Sequence, residues 1–358
     1  MKWSDYATAL VKKCKNTGIP CTASFEMTPL CNFNCNMCYI HLSPEEAKRQ
    51  GKLLTTDQWL RIAEEAKLLG TLGLEITGGE AVTRPDFPFL YEKLIKMGFI
   101  ITLRSNGYLI RGELLELFKH YKPRFISITL YGASDETYYR VTGKKDGFSV
   151  VTQNILALRE AGINVILTVT VTKDNEGDRK KLIEWANENG FHVSFYGGLF
   201  TPIRSAKRSI EHLKADYGID FSKTENLAPD REIVDREKYM HPFRMCREYG
   251  AKFCVSWDGH MTICNCFPSV WADALNQSVK DAYKELYQKL NSLKRPSECA
   301  DCQFIDYCGA CPARLLSDAG SHEITNDSIC KMARVNYLHS IDNNTQINSV
   351  DTNNNCLN

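Results

Sequence analysis

Three closely spaced cysteines are the residues of this chain best suited to chemistry: Cys31, Cys35 and Cys38. An iron–sulfur cubane needs a ligand for each of its four irons, so three thiolates leave one iron open for a substrate or cofactor. A cluster that only transfers electrons would have that fourth position filled. The spacing therefore predicts a catalytic cluster. The alternatives are a zinc knuckle completed by His41, and unrelated buried thiols.

A second group of cysteines lies far downstream. Of the fifteen cysteines in the chain, none falls between Cys38 and Cys246, whereas nine fall between Cys246 and Cys330. A reducing compartment does not maintain structural disulfides, so metal ligation is the leading explanation for so many thiols. Eight cysteines would suffice for two four-thiolate clusters, although Cys-x2-Cys pairs are equally typical of zinc ribbons. Cys266 is then left over as a spare thiol, an alternative ligand or a hydrogen-atom donor.

Repeated βα units are predicted to position the first motif, because short β-branched runs alternate with amphipathic stretches over residues 22–199. An open partial barrel or a doubly wound sheet would fit six such units, and both place chemistry at the carboxyl ends of the strands. Helices are predicted at Thr56–Leu69 and Asp178–Asn189, among others. Residues typical of helix N-caps stand at Ser43, Thr56 and Ser134. The predicted strands are Thr22–Met27, Leu74–Thr77, Ile100–Leu103, Phe125–Leu130, Val165–Val171 and His192–Tyr196.

Composition excludes several classes of protein. The formal net charge is +1 with acids and bases interspersed, so neither nucleic acid nor a membrane surface is a predicted partner. The longest apolar run, Ile163–Val171, is too short to span a bilayer, and the N-terminus lacks the apolar core of a signal peptide. A cytoplasmic protein with one large and one smaller domain is expected.

The sequence Cys-x3-Cys-x2-Cys-Tyr after the first strand resembles the signature of the radical S-adenosylmethionine (SAM) superfamily. The resemblance implies that a [4Fe–4S] cluster on Cys31, Cys35 and Cys38 binds SAM and cleaves it reductively, giving a 5′-deoxyadenosyl radical that abstracts hydrogen from the substrate. Further segments resemble the family's SAM contacts. They are Gly78-Gly79-Glu80 for the amino group, Ser105 and Asn106 for the ribose, Arg140 for the carboxylate and Tyr39 beside the adenine.

The downstream cysteines resemble the SPASM domain that is appended to many radical SAM enzymes. Its Gly-x4-Cys step corresponds to Gly259 and Cys264, inside a hairpin-like stretch. One departure is the last pair, Cys308 and Cys311, which has two residues between the cysteines where the family more often has three. The family's interleaved arrangement implies two auxiliary [4Fe–4S] clusters. One would lie on Cys246, Cys254, Cys264 and Cys311, and the other on Cys299, Cys302, Cys308 and Cys330.

The predicted fold class is therefore α/β: a partial (β/α)6 radical SAM barrel followed by a small cysteine-rich SPASM domain that binds auxiliary clusters. The predicted segments are an N-terminal extension (1–21), the barrel (22–200), a bridge (201–245), the SPASM domain (246–335) and a disordered tail (336–358).

SPASM enzymes mostly modify peptides or proteins, so the resemblance implies maturation of a ribosomally made peptide, such as thioether or C–C crosslinking. The alternatives are a peptide epimerase, an anaerobic sulfatase maturase, a radical SAM enzyme acting on a small molecule and a non-catalytic cysteine-rich metal-binding protein. The sulfatase branch carries an Asp base after its equivalent of Cys264, where this chain has Asn265.

The implied partners are the peptide or protein substrate and a low-potential electron donor, either flavodoxin or ferredoxin. Because only about twenty residues precede the first strand, affinity for a ribosomally made peptide would come from a separate leader-recognition protein or from direct docking over the barrel mouth.

Overall fold

The computed structural model describes residues 3–205, 209–215, 240–246 and 248–342. Nine strands of this part of the chain form a single sheet. They are β1 (Thr22–Glu26), β2 (Gly73–Thr77), β3 (Ile100–Ser105), β4 (Phe125–Leu130), β5 (Val165–Thr170), β6 (Val193–Tyr196), β7 (Lys252–Ser256), β8 (His260–Thr262) and β9 (Ala272–Asp273). All six strands predicted for the barrel are confirmed, with ends that shift by at most two residues.

The order of the strands decides between the two predicted architectures. Strands β1 to β6 are parallel and lie side by side in chain order, with no reversal of direction along the sheet. Because βα crossovers are right-handed, strands added always on the same side place every intervening helix on the same face of the sheet. A doubly wound sheet would instead change direction at a switch point. The fold is thus the predicted α/β partial barrel.

The helices carry the expected start signals. Ser43 caps its helix through a reciprocal capping box with Glu46, and Ser134 accepts a hydrogen bond from the Thr137 backbone. The predicted cap at Thr56 is wrong by one residue, because the Thr55 side chain is the one that accepts from the Gln58 backbone. The helices are α1 (Trp3–Thr17), α2 (Pro44–Gln50), α3 (Thr56–Leu69), α4 (Phe87–Lys96), α5 (Glu113–His120), α6 (Asp135–Thr142), α7 (Gly147–Glu160), α8 (Arg179–Glu188), α9 (Val279–Asn291), α10 (Pro312–Ala319) and α11 (Asp327–Asp342).

The two faces of the parallel sheet differ in chemistry. One face is apolar and buried, and on it the Phe25 ring lies 4.9 Å from the Trp59 ring of α3. Side chains of the alternate residues point to the opposite, concave face. There Ser24 Oγ donates to Glu75 Oε1 at 3.1 Å, and Arg104 Nε contacts Glu75 Oε2 at 2.6 Å. The helices therefore cover an apolar face, while a polar face lines the inside of the barrel.

The predicted hairpin of the downstream region is confirmed as β7 and β8, which pair antiparallel across a turn at Gly259. Strand β7 also pairs in parallel with β1, with Thr22 opposite Lys252. Of the described residues, those within 3–215 and 248–290 form one compact unit, and those within 240–246 and 291–342 form a second. Residues 248–290, which sequence analysis assigns to the SPASM domain, thus pack with the barrel strands.

Two terminal features complete the fold. Helix α11 continues to Asp342, so residues 336–342 of the predicted tail are helical, and residues 343–358 lie outside the described part of the chain. Parts of the predicted bridge, 206–208 and 216–239, lie outside it as well. None of the described helices is long and apolar enough to cross a membrane.

Candidate active site

The loop that follows β1 is fastened to the ends of neighbouring elements. The backbone N–H of Gly79 donates to the carbonyl of Thr28 at 2.6 Å, and that of Glu80 donates to the carbonyl of Leu30 at 2.9 Å. On its far side, the N–H groups of Asn34 and Asn36 donate to carbonyls at the end of α6, at 3.0 Å each. These bonds hold the segment that carries the three clustered cysteines over the carboxyl end of the sheet.

The glycine pair allows this fastening because the two backbones lie in contact. A Cβ on Gly79 would lie 2.3 Å from the carbonyl oxygen of Leu30 and 2.8 Å from that of Pro29. A Cβ on Gly78 would lie 2.6 Å from the carbonyl oxygen of Thr28. Any side chain at these positions would push the cysteine loop away from β2, so the glycines are needed for close backbone approach.

Cys31, Cys35 and Cys38 face a shared, largely buried space. Burial raises the pKa of Cys31 to about 12, and the nearby Glu80 carboxylate adds to the rise. Burial also raises the pKa of Cys35, helped by the neighbouring Cys38 and Cys31 sulfurs. Backbone N–H groups point at two of the sulfurs, from Phe33 to Cys31 Sγ at 3.4 Å and from His41 to Cys38 Sγ at 3.3 Å. Donors of this kind stabilise a thiolate once a metal has displaced its proton.

A zinc knuckle and a cubane differ in how far apart they hold their ligands. Among the described residues, no three His, Cys, Asp or Glu side chains converge closely enough to hold one metal ion. A zinc site would bring its ligand atoms to within about 2.0–2.3 Å of a single point. A cubane instead spreads its thiolates over separate irons. The His41 backbone N–H donates to Cys38 Sγ at 3.3 Å.

Two buried amide atoms of this loop have no hydrogen-bond partner in the described part of the chain. They are Asn32 Nδ2 and Asn36 Oδ1. The Nδ2 of Asn36 donates to Asp174 Oδ2 at 2.7 Å, so only its oxygen is left. Buried polar atoms of folded proteins are normally paired, and an exception calls for an unrecorded ligand or ion. The loop between the cysteines therefore fits a bound polar group.

The end of β3 closes the site on another side. Ser105 Oγ donates to Glu80 Oε1 at 3.0 Å, and the Asn106 backbone N–H donates to Glu80 Oε2 at 2.7 Å. The Asn106 amide reaches the cysteine loop, 2.8 Å from Asn32 Oδ1 and 3.7 Å from Cys31 Sγ. Burial raises the pKa of Glu80 to about 7 despite these bonds. The structure thus brings Gly78, Gly79, Glu80, Ser105 and Asn106 together with the cysteine loop.

Arg140 and Tyr39 lie around the same loop. Arg140 Nη2 donates to the backbone carbonyl of Asp174 at 2.8 Å, and the carboxylate of the same Asp174 accepts from Asn36. Tyr39 packs with its ring 6.0 Å from that of Phe200, and its carbonyl accepts from the Ile203 backbone at 2.9 Å. The segment after β6 therefore returns over the cysteine loop.

The structure adds residues that sequence reasoning missed. The Tyr131 hydroxyl, just past the end of β4, hydrogen-bonds the Cys35 sulfur. The Cys266 thiol hydrogen-bonds the Tyr39 phenol, and this thiol together with burial raises the pKa of Tyr39. No local pattern announces these contacts, although Tyr131 follows a predicted strand, which is where site residues were expected.

Glu26, at the end of β1, is another residue that sequence reasoning missed. Its side chain is 3% exposed and forms no ion pair or side-chain hydrogen bond with another described residue. Arg204 is committed elsewhere, since its Nη1 lies 2.6 Å from Asp258 Oδ2 and its Nη2 donates to Ser256 Oγ at 3.0 Å. Burial raises the pKa of Glu26 to about 7, although the Arg204 charge lowers it.

The buried Glu26 carboxyl should make the stability of the protein depend on pH. Its pKa in the folded chain, about 7, lies above its ordinary value of 4.5, so the protonated folded form is favoured. The stability it contributes is complete below pH 4.5 and is lost as the pH rises through 7. When the pH is raised from 5.5 to 8.5, the free energy of unfolding of the wild type should fall by on the order of 2 kcal/mol more than that of Glu26→Gln.

Thermal unfolding of anaerobic protein across that pH range checks this expectation. Glu136→Gln is the matched control, because the Glu136 side chain is 88% exposed and should leave the pH profile unchanged. Parallel pH profiles for the wild type and Glu26→Gln would contradict a buried, uncompensated carboxyl.

A second set of thiols comes together within the other compact unit. The Cys330 pKa is raised by burial and by the neighbouring Cys308, Cys302 and Cys299 sulfurs. The Cys302 pKa is raised by burial and by the Cys308 and Cys299 sulfurs. Cys299 ends the short turn at Ser297–Cys299, and Cys330 lies on α11. These four are the cysteines predicted for the outer auxiliary cluster.

The other predicted auxiliary set is divided between the two units. Cys254 lies in β7 and Cys264 follows β8, both in the first unit, whereas Cys246 and Cys311 belong to the second. Cys254 Sγ lies 3.6 Å from the carbonyl oxygen of Ile263, and Cys311 immediately precedes α10. The assignment of these four cysteines to one cluster stays a prediction.

Comparison with known proteins identifies the domain around the first site. A profile of the radical SAM superfamily matches residues 25–186, a span that runs from β1 into α8 and includes the cysteine loop and the ends of β2 to β5. The chain contains a radical SAM domain. It is accordingly a radical SAM enzyme, and radical SAM proteins bind a [4Fe–4S] cluster and SAM.

Relatives of this radical SAM enzyme include two curated proteins. It is 25% identical over 342 residues to the antilisterial bacteriocin subtilosin biosynthesis protein AlbA of Bacillus subtilis, an alignment covering 90% of this chain and 73% of AlbA. It is 25% identical over 338 residues to the AdoMet-dependent heme synthase of Methanosarcina barkeri, covering 86% of this chain and 95% of the synthase.

A solved structure supports the fold of the radical SAM enzyme. Streptococcus suis SuiB bound to its precursor peptide SuiA aligns with a TM-score of 0.65 and 19% identity, over 90% of this chain and 78% of SuiB. The alignment extends beyond the radical SAM domain, and the cysteine-rich region downstream is consistent with the predicted SPASM domain.

Proposed function

We propose that this enzyme modifies a peptide, using a [4Fe–4S] cluster on Cys31, Cys35 and Cys38 and SAM bound across the strand ends. The observation that carries the proposal is the convergence of successive strand ends on one loop. The loop follows β1, the glycine pair of β2 fastens it, Asn106 after β3 reaches Cys31, and Tyr131 after β4 reaches Cys35. A single ligand spread over this edge would touch all of them.

Some residues of the site would bind the cluster, and others would bind SAM. When bound, the cluster and SAM supply a 5′-deoxyadenosyl radical that abstracts hydrogen from a substrate C–H bond. The three thiolates would each hold one iron, and the N–H groups of Phe33 and His41 stabilise two of them. The Gly78-Gly79-Glu80 segment, Ser105, Asn106, Arg140 and Tyr39 would bind SAM. The polar face of the sheet, which carries Ser24, Glu75 and Arg104, would offer hydrogen-bonding groups to a substrate.

Similarity to relatives supports a peptide substrate. AlbA acts in the biosynthesis of the bacteriocin subtilosin, and SuiB has been solved with a precursor peptide. A small-molecule substrate is the second candidate, favoured by the similarity to a heme synthase. Incubation with SAM and a candidate precursor peptide, followed by mass spectrometry, separates them, because only a peptide-modifying enzyme changes the mass or isotope content of the peptide. Loss of two hydrogens from the peptide indicates a crosslink, and solvent deuterium at an α-carbon indicates an epimerase.

The accessory requirements follow from the same proposal. Two auxiliary [4Fe–4S] clusters would occupy the eight downstream cysteines, and the convergence of Cys299, Cys302, Cys308 and Cys330 supports one of them. A flavodoxin or ferredoxin would supply electrons at low potential. A separate leader-recognition protein would add affinity for the peptide.

Iron content tests the cofactor assignment. Anaerobically purified protein should be brown and contain about twelve irons per chain, because three cubanes hold four irons each. Iron and acid-labile sulfide analysis checks the number, with zinc measured on the same sample. Stoichiometric zinc with little iron would overturn the proposal, and a value near four irons would keep the catalytic cluster but remove both auxiliary clusters.

A further inference from the structure

Arg295 is a buried cation with unsatisfied hydrogen bonds. It follows α9 and is 5% exposed. Its Nε and Nη1 atoms are buried and have no hydrogen-bond partner among the described residues, and it forms no ion pair with any of them. Burying a charge without a counter-charge costs several kcal/mol. A guanidinium left in this state indicates that an anion belongs beside it.

The remaining nitrogen of the guanidinium shows where that anion would lie. Nη2 donates to Cys308 Sγ at 3.6 Å, and the Arg295 charge lowers the pKa of Cys302. The Ala310 backbone N–H also points at Cys308 Sγ, at 3.4 Å. Arg295 thus faces the group formed by Cys299, Cys302, Cys308 and Cys330, all within the second compact unit.

We propose that Arg295 donates hydrogen bonds to the iron–sulfur cluster on these four cysteines and raises its reduction potential. The proposal rests on the cluster assignment made above. A cubane with four thiolate ligands is an anion and becomes more negative when reduced, so a nearby cation stabilises the reduced state more than the oxidised state. Hydrogen bonds to the sulfurs act in the same direction.

The planar fork of arginine suits this role. It presents several donors in fixed directions and always stays charged, whereas lysine would offer a single ammonium group. Arg295 would therefore act as a positioning and tuning residue for the cluster, with no contact to the substrate. Arg244 Nη2 donates to the Cys308 carbonyl at 3.2 Å and so positions the same ligand from its backbone side.

The test is a redox titration of full-length anaerobic protein followed by EPR, in the Cys31→Ala, Cys35→Ala, Cys38→Ala background, where only auxiliary clusters contribute. With iron content unchanged, Arg295→Gln should lower the reduction equilibrium constant of one cluster at least tenfold, which is 59 mV for one electron. Lys180→Gln is the matched control. It removes a cation of the first unit whose side chain is 88% exposed and therefore screened by solvent, and it should shift neither cluster.

Arg295→Lys is the second variant, for use if Arg295→Gln does not assemble its clusters. It keeps the charge but loses the fork, so a loaded Lys variant should show an altered EPR spectrum or a lowered potential. A fully loaded Gln or Lys variant with unchanged potentials and spectrum would overturn the role of Arg295. Failure of the cluster assignment itself would be seen separately, as missing iron in the unmodified chain.

Discussion

Replacing Cys31, Cys35 and Cys38 together by alanine should abolish reductive cleavage of SAM. These thiols are the predicted ligands of the one cluster with an open iron, and the loop that holds them lies against Gly79 and Asn106. Formation of 5′-deoxyadenosine from SAM and dithionite should fall to background. About eight irons per chain should remain, because the auxiliary clusters keep their ligands.

The matched control removes two thiols that no cluster is predicted to use. Cys14 and Cys21 are buried together against Ala251, away from the cysteine loop, so Cys14→Ala with Cys21→Ala should keep both activity and iron. Undiminished 5′-deoxyadenosine formation in the triple variant would move the active site elsewhere in the chain.

Gly79→Ala should reduce SAM cleavage by about 100-fold, the loss expected when reacting groups are displaced by about 1 Å. The added Cβ would lie 2.3 Å from the Leu30 carbonyl oxygen, and a rigid backbone cannot yield as a flexible side chain would. The cysteine loop must therefore move away from β2. The iron of the catalytic cluster should fall with the activity.

Gly177→Ala provides the comparison, because a Cβ on Gly177 would meet nothing within 4 Å. Its activity and iron content should match the wild type. Kinetics of 5′-deoxyadenosine formation and iron analysis on both variants check the pair. Equal activities would mean that the close approach of β2 to the loop is not needed for catalysis.

Local patterns were sufficient to predict much of the fold. Short β-branched runs between amphipathic stretches predicted β1 to β6, and Gly78-Gly79-Glu80 was placed correctly at the end of β2. The hairpin around Gly259 was equally visible. These features depend on neighbours in sequence, where periodicity and turn residues carry the information.

Contacts between distant segments were beyond sequence reasoning. The parallel pairing of β7 with β1 joins Thr22 to Lys252, and no local signal sets that register. The burial of Glu26 and the orphaned guanidinium of Arg295 likewise depend on which segments pack around them. Sequence alone shows an ordinary strand glutamate and an ordinary arginine between a helix and a turn.

The one-sided winding of the sheet has a consequence for how such an enzyme evolves. Among the described residues, helix α3 packs on the face that carries Phe25, so Phe25→Ala would cost about 3–5 kcal/mol in free energy of unfolding. Alternate residues such as Thr102 and Thr129 lie on the concave face and take no part in that core. Mutations of such residues would change the surface proposed to face the substrate at a lower cost in stability than mutations of the core. Residues that stabilise the fold and residues that would select the substrate thus alternate along the same strands. The substrate can therefore change during evolution while the core residues stay the same.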